Sequence, residues 1–162
     1  MPDLHRSART SALVPFGDFD GDALPDLLVR DGSGGMKAHL GIGQLQFGAN
    51  RTKGLGAGGK MYKSILAPGD LNSDGHDDIL GVDAEGRLWL YTTTGTGGIN
   101  PRVQVGSGWN MYPRIVGADD LNGDGRGDLL GIDPTGVMYH YLSNGNMGWT
   151  NRKNETRAND GR

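Results

Sequence analysis

The sequence predicts an all-β chain built of three repeated four-stranded antiparallel units, and three observations carry that expectation. The first is composition. Glycine fills 30 of 162 positions, and the acidic residues comprise 17 Asp against only Glu85 and Glu155. Asp is a poor helix former and a good turn former, so an Asp and Gly excess points to turns rather than helix. The second is an internal repeat: acidic loops begin at Asp18, Asp70 and Asp120, spaced by 52 and 50 residues. The third is strand character. Short apolar segments joined by turns of a few residues must pair as antiparallel hairpins. Leu88-Trp89-Leu90-Tyr91 and Leu129-Leu130 do not alternate apolar with polar, so both sheet faces are covered. Four-stranded antiparallel units that repeat along the chain and are covered on both faces fit β-propeller blades, each stacked on its neighbour.

The elements follow in order. Residues 1–10 form a leader, and units span 11–61, 62–111 and 112–150. The loops align as Asp18-Phe19-Asp20-Gly21-Asp22, Asp70-Leu71-Asn72-Ser73-Asp74 and Asp120-Leu121-Asn122-Gly123-Asp124. Asp31, Asp83 and Asp133 each fall five residues after the last loop Asp, and Gly34, Gly86 and Gly136 stand three further on. Leu55-Gly56-Ala57-Gly58-Gly59-Lys60-Met61-Tyr62 parallels Val105-Gly106-Ser107-Gly108-Trp109-Asn110-Met111-Tyr112. In the third unit, Ile115–Ala118 enters the loop and Leu129–Ile132 leaves it. An Asp133–Gly136 turn then leads into Val137–Leu142, and Arg102–Val105 supplies the preceding unit's fourth strand. The tail, 151–162, is too polar for a buried strand and is expected to be disordered. The third unit is therefore expected to lack a regular fourth strand or to borrow one.

The acidic loop is the chemically specific element. Loop positions 1, 3, 5 and 9 carry Asp18, Asp20, Asp22 and Asp26; then Asp70, Asn72, Asp74 and Asp78; then Asp120, Asn122, Asp124 and Asp128. Alternating short oxygen side chains converge on one point as a loop curls, and position 7 can add a backbone carbonyl from Leu24, His76 or Arg126. All-oxygen coordination in a pliant loop suits calcium, whereas zinc would want nitrogen or sulfur. An EF-hand needs a carboxylate at position 12, where this chain has Val29, Gly81 and Gly131. The expectation is about three calcium sites. Ala23, standing where the other loops have Gly75 and Gly125, sets the first apart.

Other signals exclude more than they suggest. A net charge of −3 and a pI near 5.7 lack the basic face that nucleic acid requires. The chain has no cysteine, hence no disulfide framework. Its apolar runs are too short to cross a membrane as a helix. His5, His39, His76 and His140 show no metal spacing. Arg126-Gly127-Asp128 spells the integrin-ligand tripeptide, but Asp128 is the position-9 ligand and is expected to turn inward. No nucleophile elbow or phosphate-binding glycine loop is present, and the chain is expected not to be an enzyme.

The loops, the Leu-Leu-x-x-Asp strands and the period resemble FG-GAP/VCBS repeats of calcium-binding β-propellers, which also build integrin α-subunit heads. The Val105–Tyr112 stretch is similar to versions common in secreted actinobacterial proteins. The resemblance covers about residues 11–150 and implies the twelve loop side chains as calcium ligands. It further implies secretion, although no export signal opens the sequence. Such propellers usually close with seven blades, so three units give an incomplete propeller per chain. The expected completion is a homodimer of six blades or the remainder of a longer propeller. The expected function is a calcium-stabilised binding module for carbohydrate, with Trp89, Trp109 and Trp149 as candidate stacking platforms. Alternatives are a protein-adhesion or assembly element, or an appendage of a secreted hydrolase without activity of its own.

Overall fold

Where the chain turns, glycine and Asp close the hairpins, and the segments between them pair into three separate sheets. A computed structural model describes residues 10–44, 46–150 and 153–154; the leader and most of the tail lie outside the described residues. The first sheet holds β1 (Thr10–Phe16), β2 (Asp26–Asp31), β3 (Met36–Gly41) and β4 (Phe47–Gly56). The second holds β5 (Tyr62–Gly69), β6 (Asp78–Asp83), β7 (Leu88–Tyr91) and β8 (Val103–Gly106). The third holds β9 (Arg114–Gly117), β10 (Leu129–Ile132), β11 (Met138–Tyr141) and the two-residue β12 (Lys153–Asn154). Each sheet is an antiparallel meander in chain order. Leu28 stands opposite Ala38, Leu80 opposite Leu90 and Leu130 opposite His140, so the three sheets share one register. These are three propeller-type blades in an open arc. The third blade, for which the sequence predicts no regular fourth strand unless one is borrowed, carries among the described residues only the two-residue β12 in that place, paired with Tyr139 and His140.

The blades stack face to face, and their cores lie between them rather than within them. One apolar cluster joins the first and second blades through Phe16, Phe19, Leu28, Tyr62, Ile65 and Ile79. A second joins the second and third through Leu71, Leu88, Trp109, Tyr112, Ile115 and Leu129. β6, covered on both sides, is buried along its whole length. The strands β1, β5 and β9 lie side by side. Leu13, Pro15, Leu66 and Val116 from them line an open groove of about 530 Å³.

Short 3₁₀ helices, Gly58–Met61 and Trp109–Met111, cross from one blade to the next. They occupy the stretches that read as plain turns in the sequence. The second one buries Trp109 to 5% exposure. Its ring lies 4.5 Å from Tyr141, 5.8 Å from Tyr112 and 6.0 Å from Trp149, centroid to centroid. The expectation that ligand reaches this indole is corrected: the ring is buried among Tyr112, Tyr141 and Trp149 at the blade junction.

Candidate metal-binding loops

Each acidic loop links a blade's first strand to its second, and its curl needs left-handed backbone at loop positions 4 and 6. Gly21 and Ala23 have φ of 90° and 64°, Ser73 and Gly75 have 65° and 87°, and Gly123 and Gly125 have 79° and 83°. Glycine takes that conformation freely; Ala23 and Ser73 take it under strain. The position-1 carboxylates hold the curl. Asp18 Oδ1 accepts the amides of Gly21 (2.6 Å) and Asp22 (3.1 Å), and its Oδ2 accepts that of Ala23 (2.8 Å). Asp70 and Asp120 do the same for Ser73, Asp74 and Gly75, and for Gly123, Asp124 and Gly125. Asp18 and Asp120 both sit below the ordinary carboxylate range. For Asp18, slight burial works against that shift, and the loop amides outweigh it. For Asp120 the amide of Gly125 leads.

Position 9 has a task that its spacing does not announce. Asp26, Asp78 and Asp128 are 3%, 0% and 0% exposed. Their Oδ2 atoms accept the amides of Phe19, Leu71 and Leu121, and their Oδ1 atoms those of Gly41, Thr93 and Ser143. Each carboxylate thus latches the acidic loop to the end of the blade's third strand. Burial pushes the Asp78 carboxyl up to about 6 against its two amide bonds, and the charges of Asp74 and Asp70 add to the rise. Asp77 is also raised, by burial and then by the charges of Asp119 and Asp70.

In the first loop, oxygens of Asp18, Asp20 and Asp22 all lie within 4.8 Å of one another. Asp20 Oδ1 is buried and has no hydrogen-bond partner among the described residues. A buried carboxylate oxygen without a donor is costly unless a cation supplies the missing charge, so this donor set fits a hard divalent ion. Arg51, which no repeat signal marks, partly answers the charge: its Nη2 lies 3.1 Å from both Asp20 Oδ2 and Asp22 Oδ2. In the second and third loops, Asn72 and Asn122 donate to Asp74 Oδ2 (2.8 Å) and Asp124 Oδ2 (2.9 Å). Arg126 also reaches Asp124 Oδ2, at 2.7 Å. The amides of Leu24, His76 and Arg126 at position 7 donate to the position-5 carboxylates Asp22, Asp74 and Asp124.

Neighbouring blades close over these loops. The amide of Gly97 donates to Phe19 O (2.9 Å) and that of Met147 to Leu71 O (3.4 Å). The hairpin tip after a blade's third strand therefore straps the acidic loop of the blade before it. Beneath the straps Phe19 is 0% and Leu71 2% exposed; Leu121, with no strap among the described residues, is 45% exposed.

The remaining aromatic candidates are spread apart. Trp89 is half-buried, donates Nε1–H to Asp83 Oδ2 (2.9 Å) and carries the Arg102 guanidinium 4.1 Å over its ring. Trp149 is half-buried, and its Nε1 is enclosed without a hydrogen-bond partner among the described residues.

Three stacked antiparallel blades, each opening on an Asp-rich loop, define a β-propeller-type repeat protein. The FG-GAP-like repeat profile matches residues 18–80 and 70–131, and the chain belongs to that repeat family. No curated protein matches the chain significantly in sequence. Among solved structures, it is similar to an Agrocybe aegerita lectin that recognises non-reducing terminal N-acetylglucosamine. Identity is 26%, the TM-score is 0.61, and the match covers 85% of this chain and 36% of the lectin chain. The chain thus spans little more than a third of that lectin's length. Among the described residues, no helix is long and apolar enough to cross a membrane.

Proposed function

We propose that the chain is an extracellular carbohydrate-binding module stabilised by calcium, acting by binding and without catalysis. The likeness to an N-acetylglucosamine lectin over 85% of the chain is the observation that carries the reading. The calcium part is supported by the three clustered carboxylates of the first loop and the unpartnered Asp20 Oδ1. Asp18, Asp20, Asp22 and Asp26 would hold the first ion, with the Leu24 carbonyl. Asp70, Asn72, Asp74 and Asp78 with His76, and Asp120, Asn122, Asp124 and Asp128 with Arg126, would hold two more. The ion would neutralise the loop carboxylates and stiffen the blade ends that present the ligand surface. Half-buried Trp89 and Trp149 are the available indoles for stacking a sugar. Titrating N-acetylglucosamine and its oligomers by calorimetry, in millimolar calcium and in excess chelator, tests the reading. Saturable binding that weakens in chelator supports it; no heat with any terminal N-acetylglucosamine ligand refutes it.

A separate observation supports assembly with a second copy. Ile99 and Trp149 occupy one position on the strap hairpins, and both pack against the preceding blade. Phe47, their counterpart in the first blade, is 45% exposed, as is Leu121 at the other end of the arc. The internal junctions therefore supply the template: Phe47 of one copy seats on Leu121 of the other, twice about a twofold axis, giving six blades. Light scattering should return twice the 17.2 kDa chain mass. A single-chain mass at micromolar concentration rules the dimer out.

A further inference from the structure

The two blade junctions are built on one plan and filled differently. Gly59 N donates to Gly34 O at 3.0 Å, and Trp109 N donates to Gly86 O at 3.0 Å, so the main chain enters both junctions identically. Around the second junction stand Leu88, Tyr112, Ile115, Tyr141 and Trp149, and the Trp109 indole fills the space between them. Around the first stand their counterparts Met36, Tyr62, Ile65, Tyr91 and Ile99, and at Gly59 there is no side chain. What remains is a half-open cavity of about 60 Å³ with almost wholly apolar walls, and the Met36 side chain fills part of the space that the indole occupies one blade later. The hydroxyls that could wet it are already engaged: Tyr62 and Tyr91 share a 2.6 Å hydrogen bond, and Arg102 Nη1 donates to Tyr62 at 2.9 Å. The same tyrosine pair, Tyr112 with Tyr141, borders the filled junction.

We propose that this cavity between the first and second blades, enlarged as Met36 swings aside, binds a small planar aromatic molecule of indole size. The chain itself defines the occupant, because the equivalent space one blade later holds an indole against the same pair of tyrosines. Apolar cavities with no polar partner stay dry and accept apolar rings, and the tyrosine rings offer edge and face contacts. Met36 adjusts to the guest. Its Cγ and Sδ lie 2.8 and 2.9 Å from where a Cβ on Gly59 would stand, and an unbranched thioether moves aside at low cost. The site involves neither the acidic loops nor a sugar, so it stands or falls independently of the function proposed above.

The test uses indole itself, on the full chain in millimolar calcium. Saturation-transfer NMR should show transfer to the indole ring protons, and millimolar indole should raise the melting temperature of the unmodified chain. Gly59→Trp should raise the melting temperature without ligand and abolish both indole signals. Trp109→Gly should open a second equivalent site and double the bound indole in calorimetry. Should Gly59→Trp fail to fold, Ile99→Trp fills the cavity from the facing wall and must abolish binding in the same way. No saturation transfer to the unmodified chain, or undiminished transfer to a folded cavity-filled variant, overturns the proposal.

Discussion

Replacing Asp78 by Ala separates the two tasks that converge on loop position 9. The side chain is 0% exposed and takes the amides of Leu71 at 2.9 Å and Thr93 at 3.1 Å. Both of those residues are buried as well, at 2% and 1% exposure, so water does not replace the lost acceptor. Each stranded buried amide costs about 1–3 kcal/mol. Relief of the repulsion that helps to raise this carboxyl to about 6 returns part of that. A net loss of about 2–4 kcal/mol remains, lowering the melting temperature by about 5–15 °C for a chain of this size. The loss should appear in excess chelator, where no ion contributes. Asp74→Ala is the control. Asp74 lies at the exposed tip of the same loop, so its removal in chelator should change stability by no more than about 0.5 kcal/mol. In calcium at a hundred times its dissociation constant, both variants should also lose up to about 2.7 kcal/mol of ion-linked stabilisation. Thermal melts of both variants in chelator and in calcium provide the measurement. Equal melting temperatures for Asp78→Ala and Asp74→Ala in chelator would refute the latch.

Ala23→Gly should stabilise the chain by about 0.5–1 kcal/mol, because it relieves a φ of 64° at an exposed position; an unchanged or lower melting temperature contradicts this. Arg51→Gln should tighten calcium binding at the first loop by up to about fivefold, the worth of an exposed ion pair that the metal must displace. Identical calcium titrations of the two proteins would refute the competition. Asp83 is held down to about 2: burial opposes its charge, but hydrogen bonds from Trp89, the Arg87 amide and the Arg87 guanidinium outweigh it. A carboxyl lowered in the folded state stabilises fully above its unfolded value of 3.8 and loses that contribution as pH falls through about 2. Asp83→Asn should therefore lower the melting temperature at pH 6 and make little difference at pH 2, and an equal loss at both would refute the assignment.

The strands and loops were legible because a 50-residue period repeats their signals three times over, and a turn rich in Asp and Gly has few other conformations. The burial of Trp109 was not. It depends on a three-residue 3₁₀ segment with no periodicity of its own, and on side chains from two different blades. The position-9 latch was half legible: the spacing marks Asp26, Asp78 and Asp128 as inward-facing oxygens. Their amide partners at Gly41, Thr93 and Ser143 lie 15 residues on and emerge only once the third strand is paired. Arg51 carried no signal at all, since its place on the first loop follows from a fourth strand whose register is broken by bulges.

The backward reach of the hairpin tips gives the arc a direction in time. Gly97 closes on Phe19 and Met147 on Leu71, so every strap is made later in the chain than the loop it covers. On a ribosome, a blade therefore emerges with its acidic loop still open and its position-2 side chain still wet. It is completed only when 76 further residues have followed, the distance from Leu71 to Met147. Maturation is accordingly vectorial: each newborn blade finishes its predecessor. Leu121 marks the loop at which, among the described residues, that relay has no closing strap.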